Sequence, residues 1–139
     1  MPVDSQWAIQ TLIYDILKDD TNLQAVLAGG AAGVYDHVPD GAAFPYCVIS
    51  DIEARPEDTS GFDGLTLKVS IKSFSRHSGY KEIKSIMSAI YNALHNRDMN
   101  HVDHYITSCR FLMSRIENQS AKNIRKSDQI FEIITEPKI

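Results

Sequence analysis

The sequence lacks several features that would define a class of protein at once. It has two cysteines, Cys47 and Cys109, each within an apolar run, so we interpret both as reduced, buried side chains. No apolar run approaches the ~20 residues that a membrane-spanning helix needs, and residues 1–4 do not resemble a leader, so neither a membrane span nor a signal peptide is expected. With 139 residues, 43% of them hydrophobic, the chain fits one domain covering residues 1–139.

Recognisable chemistry is also missing. None of the five histidines lies in a motif with a known mechanism. His101 and His104 form the most metal-like cluster, but a strand that began early would point them to opposite faces. The glycines of residues 29–33 have no preceding strand and no following Lys-Ser/Thr, so they indicate a helix stop and not a phosphate loop. We therefore predict no catalytic residue, cofactor or metal; a small His-dependent hydrolase or metal-binding enzyme remains the less favoured alternative.

Apolar periodicity predicts the element order α-α-β-β-α-β-β. Helices are expected over about residues 5–18, 21–28 and 78–95, and strands over about 46–53, 65–74, 102–116 and 128–136. This order predicts an α+β fold with a four-stranded, mostly antiparallel sheet and helices packed on one face. The alternating and helical spacings place five side chains in the core between helix and sheet: Leu67, Val69, Ile71, Ile86 and Ile90. Trp7 and Tyr14 lie beside the apolar stripe of the first helix, and either widen it or mark a second contact face.

Charge is divided between the two halves of the chain. Residues 1–64 carry a net charge of −9 and residues 65–139 a net charge of +5. Two polar segments, 54–64 and 117–126, are predicted to be loops, the first acidic and the second basic. They supply the candidate interface residues, which are Glu57, Asp58, Asp63, Lys122, Arg125 and Lys126. Complementary patches of this kind can steer and orient docking, whereas the alternative is that both loops are simply solvated.

The segment from Val34 to Ile49 organises the rest of the chain. We interpret it as a strand stub, a turn held between Pro39 and Pro45, and a buried strand. An aromatic residue before proline at a tight strand entry raises the chance that the Phe44–Pro45 peptide bond is cis.

The same segment carries a family resemblance. Its landmarks are Val34-Tyr35-Asp36, Val38-Pro39 and Phe44-Pro45-Tyr46-Cys47-Val48-Ile49. In this order they resemble the signature of small tail-completion proteins of long-tailed phages and prophages, a group that includes tail terminators and tail-to-head joining proteins. The short helix from Leu23 to Gly30 and the strand-to-helix joint around Phe74 also fit, although that joint more often carries tryptophan. The resemblance extends over about residues 8–135.

The resemblance implies a non-enzymatic structural protein of the virion. It implies a six-membered ring at the head-proximal end of the tail tube, which ends the tail and joins it to the head connector. The implied partners are further copies of the chain, unless the free protein is a monomer, together with the tail tube protein and a head-completion or connector protein. DNA would pass through the lumen without specific binding, so we expect an acidic or neutral lumen. Assembly would take place in the cytoplasm of the bacterial host. A head-side stopper or adaptor is the alternative.

Overall fold

The computed structural model describes residues 4–57, 64–119 and 122–138. Its elements in chain order are α1 (Gln6–Asp19), α2 (Thr21–Gln24), a 3-10 turn (Gly30–Gly33), β1 (Val34–Tyr35), β2 (Tyr46–Glu57), β3 (Gly64–Ser75), α3 (Lys81–Leu94), β4 (His104–Gln119) and β5 (Ile124–Pro137). The strands form one sheet of order β1-β2-β3-β5-β4, in which β1 is parallel to β2 and the other pairs are antiparallel.

The α+β class is confirmed, but the predicted count of four strands is wrong. The stub Val34–Tyr35 pairs with Cys47 and Val48, which makes it a fifth, edge strand. The sequence indicated this strand stub, but the predicted sheet did not count it, because two residues are too few to show a strand period. The element order is accordingly α-α-β-β-β-α-β-β.

Helix α1 packs on the core through Ile9, Ile13 and Leu17, which recur at helical spacing and are fully buried. Ser5, which precedes the helix, turns its hydroxyl inward to Thr135 Oγ1 at 2.7 Å and does not cap the helix. The second helix is shorter than predicted. It begins where the Asp20 carboxylate accepts the backbone N–H groups of residues 22 and 23, and it ends at Gln24.

The core lies between the helices and one face of the sheet. All five residues predicted for it are fully buried, and Phe131 and Ile133 from β5 join them. Residues of β5 alternate between fully buried and half-buried, because successive side chains point to opposite faces. We call the face opposite the helices the open face; its central residues include Lys68, Glu132 and Arg110.

The two hairpins are longer than predicted. β2 continues to Glu57 and pairs with Gly64, so residues 54–57 are strand and not loop, while residues 58–63 lie outside the described residues. β4 continues to Gln119 and β5 begins at Ile124, so the predicted basic loop is mostly strand. Cross-strand hydrogen bonds and side-chain pairs hold polar residues in an extended conformation that their hydrophobicity pattern does not indicate.

Other boundaries shift by a few residues. α3 begins at Lys81 and not near Ser78, and β4 begins at His104 and not at Val102. The predicted cis peptide bond between Phe44 and Pro45 is confirmed.

Candidate interaction surfaces

The described members of the predicted acidic and basic sets lie at opposite ends of the sheet. Glu57 lies at what we call the acidic end, where β2 leads into β3, and its carboxylate accepts a hydrogen bond from Thr66 Oγ1 at 2.8 Å. Lys122 and Lys126 lie at the basic end, where β4 leads into β5. At ~3.4 Å per residue along β3, the two ends are about 30 Å apart. The fold therefore separates the two predicted patches.

Part of the acidic set is not described. Asp58 and Asp63 lie outside the described residues, so the structure places only Glu57 of the three acidic candidates.

Neighbouring Arg125 and Lys126 point to opposite faces of β5, which the loop prediction could not anticipate. Arg125 lies on the helix side, where its guanidinium donates to Asn118 Oδ1 at 2.9 Å and to the Ser78 carbonyl at 2.5 Å. It also lies 4.9 Å from the centre of the Tyr80 ring. Arg125 thus fastens the segment before α3 to the β4–β5 hairpin.

Lys126 lies on the open face, directly between Phe74 of β3 and Glu117 of β4 in the sheet register. The predicted basic cluster is therefore divided, and Lys122 and Lys126 are its outward-facing members.

The two clustered histidines lie side by side, because β4 begins only at His104 and does not start early. His101 comes before β4, in a turn where the Asp103 N–H donates to His101 Nδ1 at 3.0 Å. This turn brings the His101 ring to 5.2 Å from the ring of His104. His104 is buried, and its pKa is lowered by that burial and then by His101. Within the described residues, no group of three or more His, Cys, Asp or Glu side chains could hold a metal ion.

Aromatic side chains of the resemblance segment form one cluster near the basic end. The Tyr46 ring stacks on Phe74 at 5.1 Å and contacts Phe44 at 5.0 Å and Tyr35 at 5.7 Å. The Arg76 guanidinium lies 4.4 Å from the Phe44 ring centre. The segment that carries the resemblance thus acts as a packing unit that fixes the entry into β2.

Large apolar side chains are exposed at both lateral edges of the molecule. Trp7 is 71% exposed beside the outer edge of β2, and Met113 is 50% exposed on β4. Tyr91 of α3 is also exposed and packs edge-to-face on Phe111 of β4. Periodicity flagged Trp7 as a possible contact residue but could not place Tyr91 and Met113 on one edge, since that depends on how α3 lies across the sheet.

None of the helices in the described ranges combines the length and the apolar character needed to span a bilayer.

Comparisons with known proteins agree with this architecture. In a virion of a native gene transfer agent particle, one chain has a similar structure, with a TM-score of 0.82 and 21% sequence identity over 92% of this chain and 94% of that chain. No curated protein sequence matches. The family described as tail completion protein gp17 matches residues 11–136, which include every strand of the sheet except the last residue of β5. The chain therefore belongs to the tail completion protein gp17 family, and it is a structural protein of phage tails.

Proposed function

We propose that this protein is the subunit of a ring that closes the head-proximal end of a phage tail and joins it to the head connector. Family membership over residues 11–136 carries the proposal. The similar chain in a gene transfer agent virion supports the use of this fold in a phage-like particle. The protein is then a virion component that assembles in the cytoplasm of the bacterial host, without a catalytic role.

The separation of charge suggests how such a ring is oriented. A ring between tail and head has two different faces, and this subunit has two different ends about 30 Å apart along its strands. We assign the acidic end, with Glu57, to one of these faces and the basic end, with Lys122 and Lys126, to the other. The tail tube protein would contact one face and the head-completion or connector protein the other, with charge orienting each encounter.

This assignment changes the role of Arg125. Two of its guanidinium nitrogens already donate to Asn118 and Ser78 within the chain, so it supports the basic end and does not itself dock. Lys122 is exposed and Lys126 is half-buried, so both ammonium groups can reach a partner from the basic end.

The same reasoning predicts the charge of the residues that line the lumen. A channel lined by Lys and Arg would bind DNA phosphates and hold the genome, so basic side chains belong at protein contacts. In the ring that we propose, DNA passes through without specific binding.

The test is complementation of tails assembled without the protein. Wild-type protein added to such tails should restore joining to purified heads, at a rate that falls as salt is added. Lys122→Glu combined with Lys126→Glu should reduce the joining rate and its dependence on salt. The double variant Lys84→Glu with Arg97→Glu makes the same change in net charge at two exposed positions outside the basic end, so it serves as the control.

Three outcomes separate the possibilities. If tails assembled without the protein join to heads when no protein is added, the proposed function is refuted. A normal joining rate for the Lys122 and Lys126 variant would remove the basic end as a docking face. Binding of the protein to isolated heads but not to tails would indicate a head-side stopper or adaptor.

A further inference from the structure

A ring requires each copy to contact the next, and the acidic and basic ends do not supply that contact. The two lateral edges of the molecule carry features that fit each other. The first edge, which we call the β2 edge, combines α1 and β2. Trp7 projects from the first turn of α1 and, with Gln10, Ile49 and Ile52, lines a groove of about 520 Å³ along the outside of β2. The groove is mixed, with Asp4, Gln6 and Ser50 also lining it, and Trp7, 71% exposed beside it, is its large aromatic side chain, the type that anchors interfaces.

The opposite edge, the β4 edge, combines α3 and β4. The Tyr91 ring lies 5.2 Å from that of Phe111 and 4.7 Å from that of His95, and it forms an aromatic ledge on the helix side of β4. On the open-face side of the same strand, Met113 is half exposed. Each edge therefore presents exposed large apolar or aromatic side chains.

These features lie at the same height on the sheet. The register aligns Ile52 of β2, across Val69 and Phe131, with Phe111 of β4. The aromatic ledge of the β4 edge therefore stands level with the groove beside Trp7. A copy placed next to the first by rotation about an axis along the strands needs no axial shift to bring them together.

Charge is also complementary on the open-face side of each edge. The β2 edge carries Asp51 and Glu53, with side chains 78% and 56% exposed. The β4 edge carries Arg110 and Arg115, with side chains 58% and 65% exposed. The register aligns Glu53, across Lys68 and Glu132, with Arg110. All four side chains pair within the chain. The pairs Glu53–Arg55 and Arg115–Glu117 are exposed at both partners, so they contribute little and can be exchanged for partners across an interface.

We infer that adjacent copies contact each other through these two edges, the β2 edge of one copy against the β4 edge of the next. This inference rests on the proposed ring. Two different patches related by a closing rotation form a heterologous interface, which builds a ring. The rotation keeps the helix side of one copy beside the helix side of the next, so Trp7 meets Tyr91 and Phe111 while Asp51 and Glu53 meet Arg110 and Arg115.

Side chains form this contact. The backbone of β4 in one copy does not hydrogen-bond to β2 of the next. At this height the outward backbone groups of β4 are already bonded to the end of α3. The Phe111 N–H donates to His95 Nδ1 at 3.1 Å, and the Asn96 N–H donates to the Cys109 carbonyl at 2.8 Å. The β2 edge has a register shift at Ser50 and a proline at Pro56, both of which interrupt pairing along an edge.

Trp7→Ala tests the anchor. Because Trp7 is exposed in the free chain, its loss should leave the thermal midpoint unchanged and weaken the contact between subunits by about 30-fold or more. The number of copies on completed tails, counted by cryo-electron microscopy across a range of protein concentrations, reports that weakening. Val102→Ala removes another exposed apolar side chain, near the start of β4, and should assemble as wild type does.

Charge exchange tests the pairing. Glu53→Arg and Arg110→Glu should each impair ring assembly, and the two combined in one chain should recover it. A thermal midpoint recorded for each variant separates impaired folding from impaired contact. Failure of the combined variant to recover, with all midpoints equal, would overturn the assignment of these two side chains.

Cross-linking distinguishes this interface from a symmetric one. Trp7→Cys with Tyr91→Cys, treated on tails with a short bis-maleimide, should give a ladder beyond the dimer, because each copy would link to two different neighbours. Trp7→Cys alone should give none. If Trp7→Ala protein occupies tails as wild type does, and the double-cysteine variant forms a ring without a cross-linked ladder, this inference is overturned and the proposed function still stands. Completed tails that carry no ring of wild-type protein would overturn both.

Discussion

Replacing Leu67 with alanine tests the packing of helix on sheet from which the rest of the architecture follows. Leu67 is fully buried on β3, which lies between β2 and β5. Its neighbours on the same face are Ala54 and Ile133, and α3 contributes Ile86 to the same cluster.

The expected loss follows from these surroundings. Removing three buried carbon groups costs about 2.4 kcal/mol in transfer free energy at ~0.8 kcal/mol each. A cavity term adds to this cost, since β3 is bonded on both sides and cannot move inward to fill the space, so we expect about 3–4 kcal/mol in all. For a chain of 139 residues this is a large fraction of a total stability on the order of 7–20 kcal/mol. It corresponds to a fall of about 10 °C in the thermal midpoint.

Urea denaturation followed by circular dichroism measures this change. Lys68→Ala, one residue along the same strand on the open face, is the matched control and should stay within about 0.5 kcal/mol of wild type. An unchanged midpoint for Leu67→Ala, or an equal loss for Lys68→Ala, would show that the inward face of β3 has been assigned wrongly.

Three further predictions concern other sites. Burial and the neighbouring His101 lower the pKa of His104 below its ordinary 6.5, so the unfolded chain binds the extra proton first and stability falls as the pH drops through that value. The loss of stability between about pH 7 and pH 5.5 should therefore be smaller in His104→Gln than in wild type, and an equal loss would show that His104 does not carry it. Burial raises the pKa of the Cys47 and Cys109 thiols to about 12, so a thiol reagent at pH 8 should label them only as the protein unfolds; labelling of the native protein would contradict their placement in the core. Gly33→Ala places a Cβ 2.8 Å from the Ala28 carbonyl oxygen and should cost about 1–3 kcal/mol in urea denaturation, whereas Gly79→Ala has ordinary space and should not.

The sequence by itself determined the α+β class, the two long helices and the inward face of β3. Leu67, Val69 and Ile71 alternate, and Ile86 and Ile90 recur at helical spacing, so the burial of each side chain follows from a local period that a single stretch displays. The landmarks from Val34 to Tyr46 likewise sufficed to identify the family, because proline and aromatic residues at those places meet local requirements of the turn and its packing.

The candidate surfaces depended far more on tertiary structure. Arg125 and Lys126 are adjacent in a polar segment, and only the pairing of β5 between β3 and β4 showed that the two side chains point to opposite faces. The alignment of the groove beside Trp7 with Tyr91 depends on strand register and on the position of α3. These are relations between residues far apart in the chain, set by cross-strand hydrogen bonds and by burial against a distant element, and no local period encodes them.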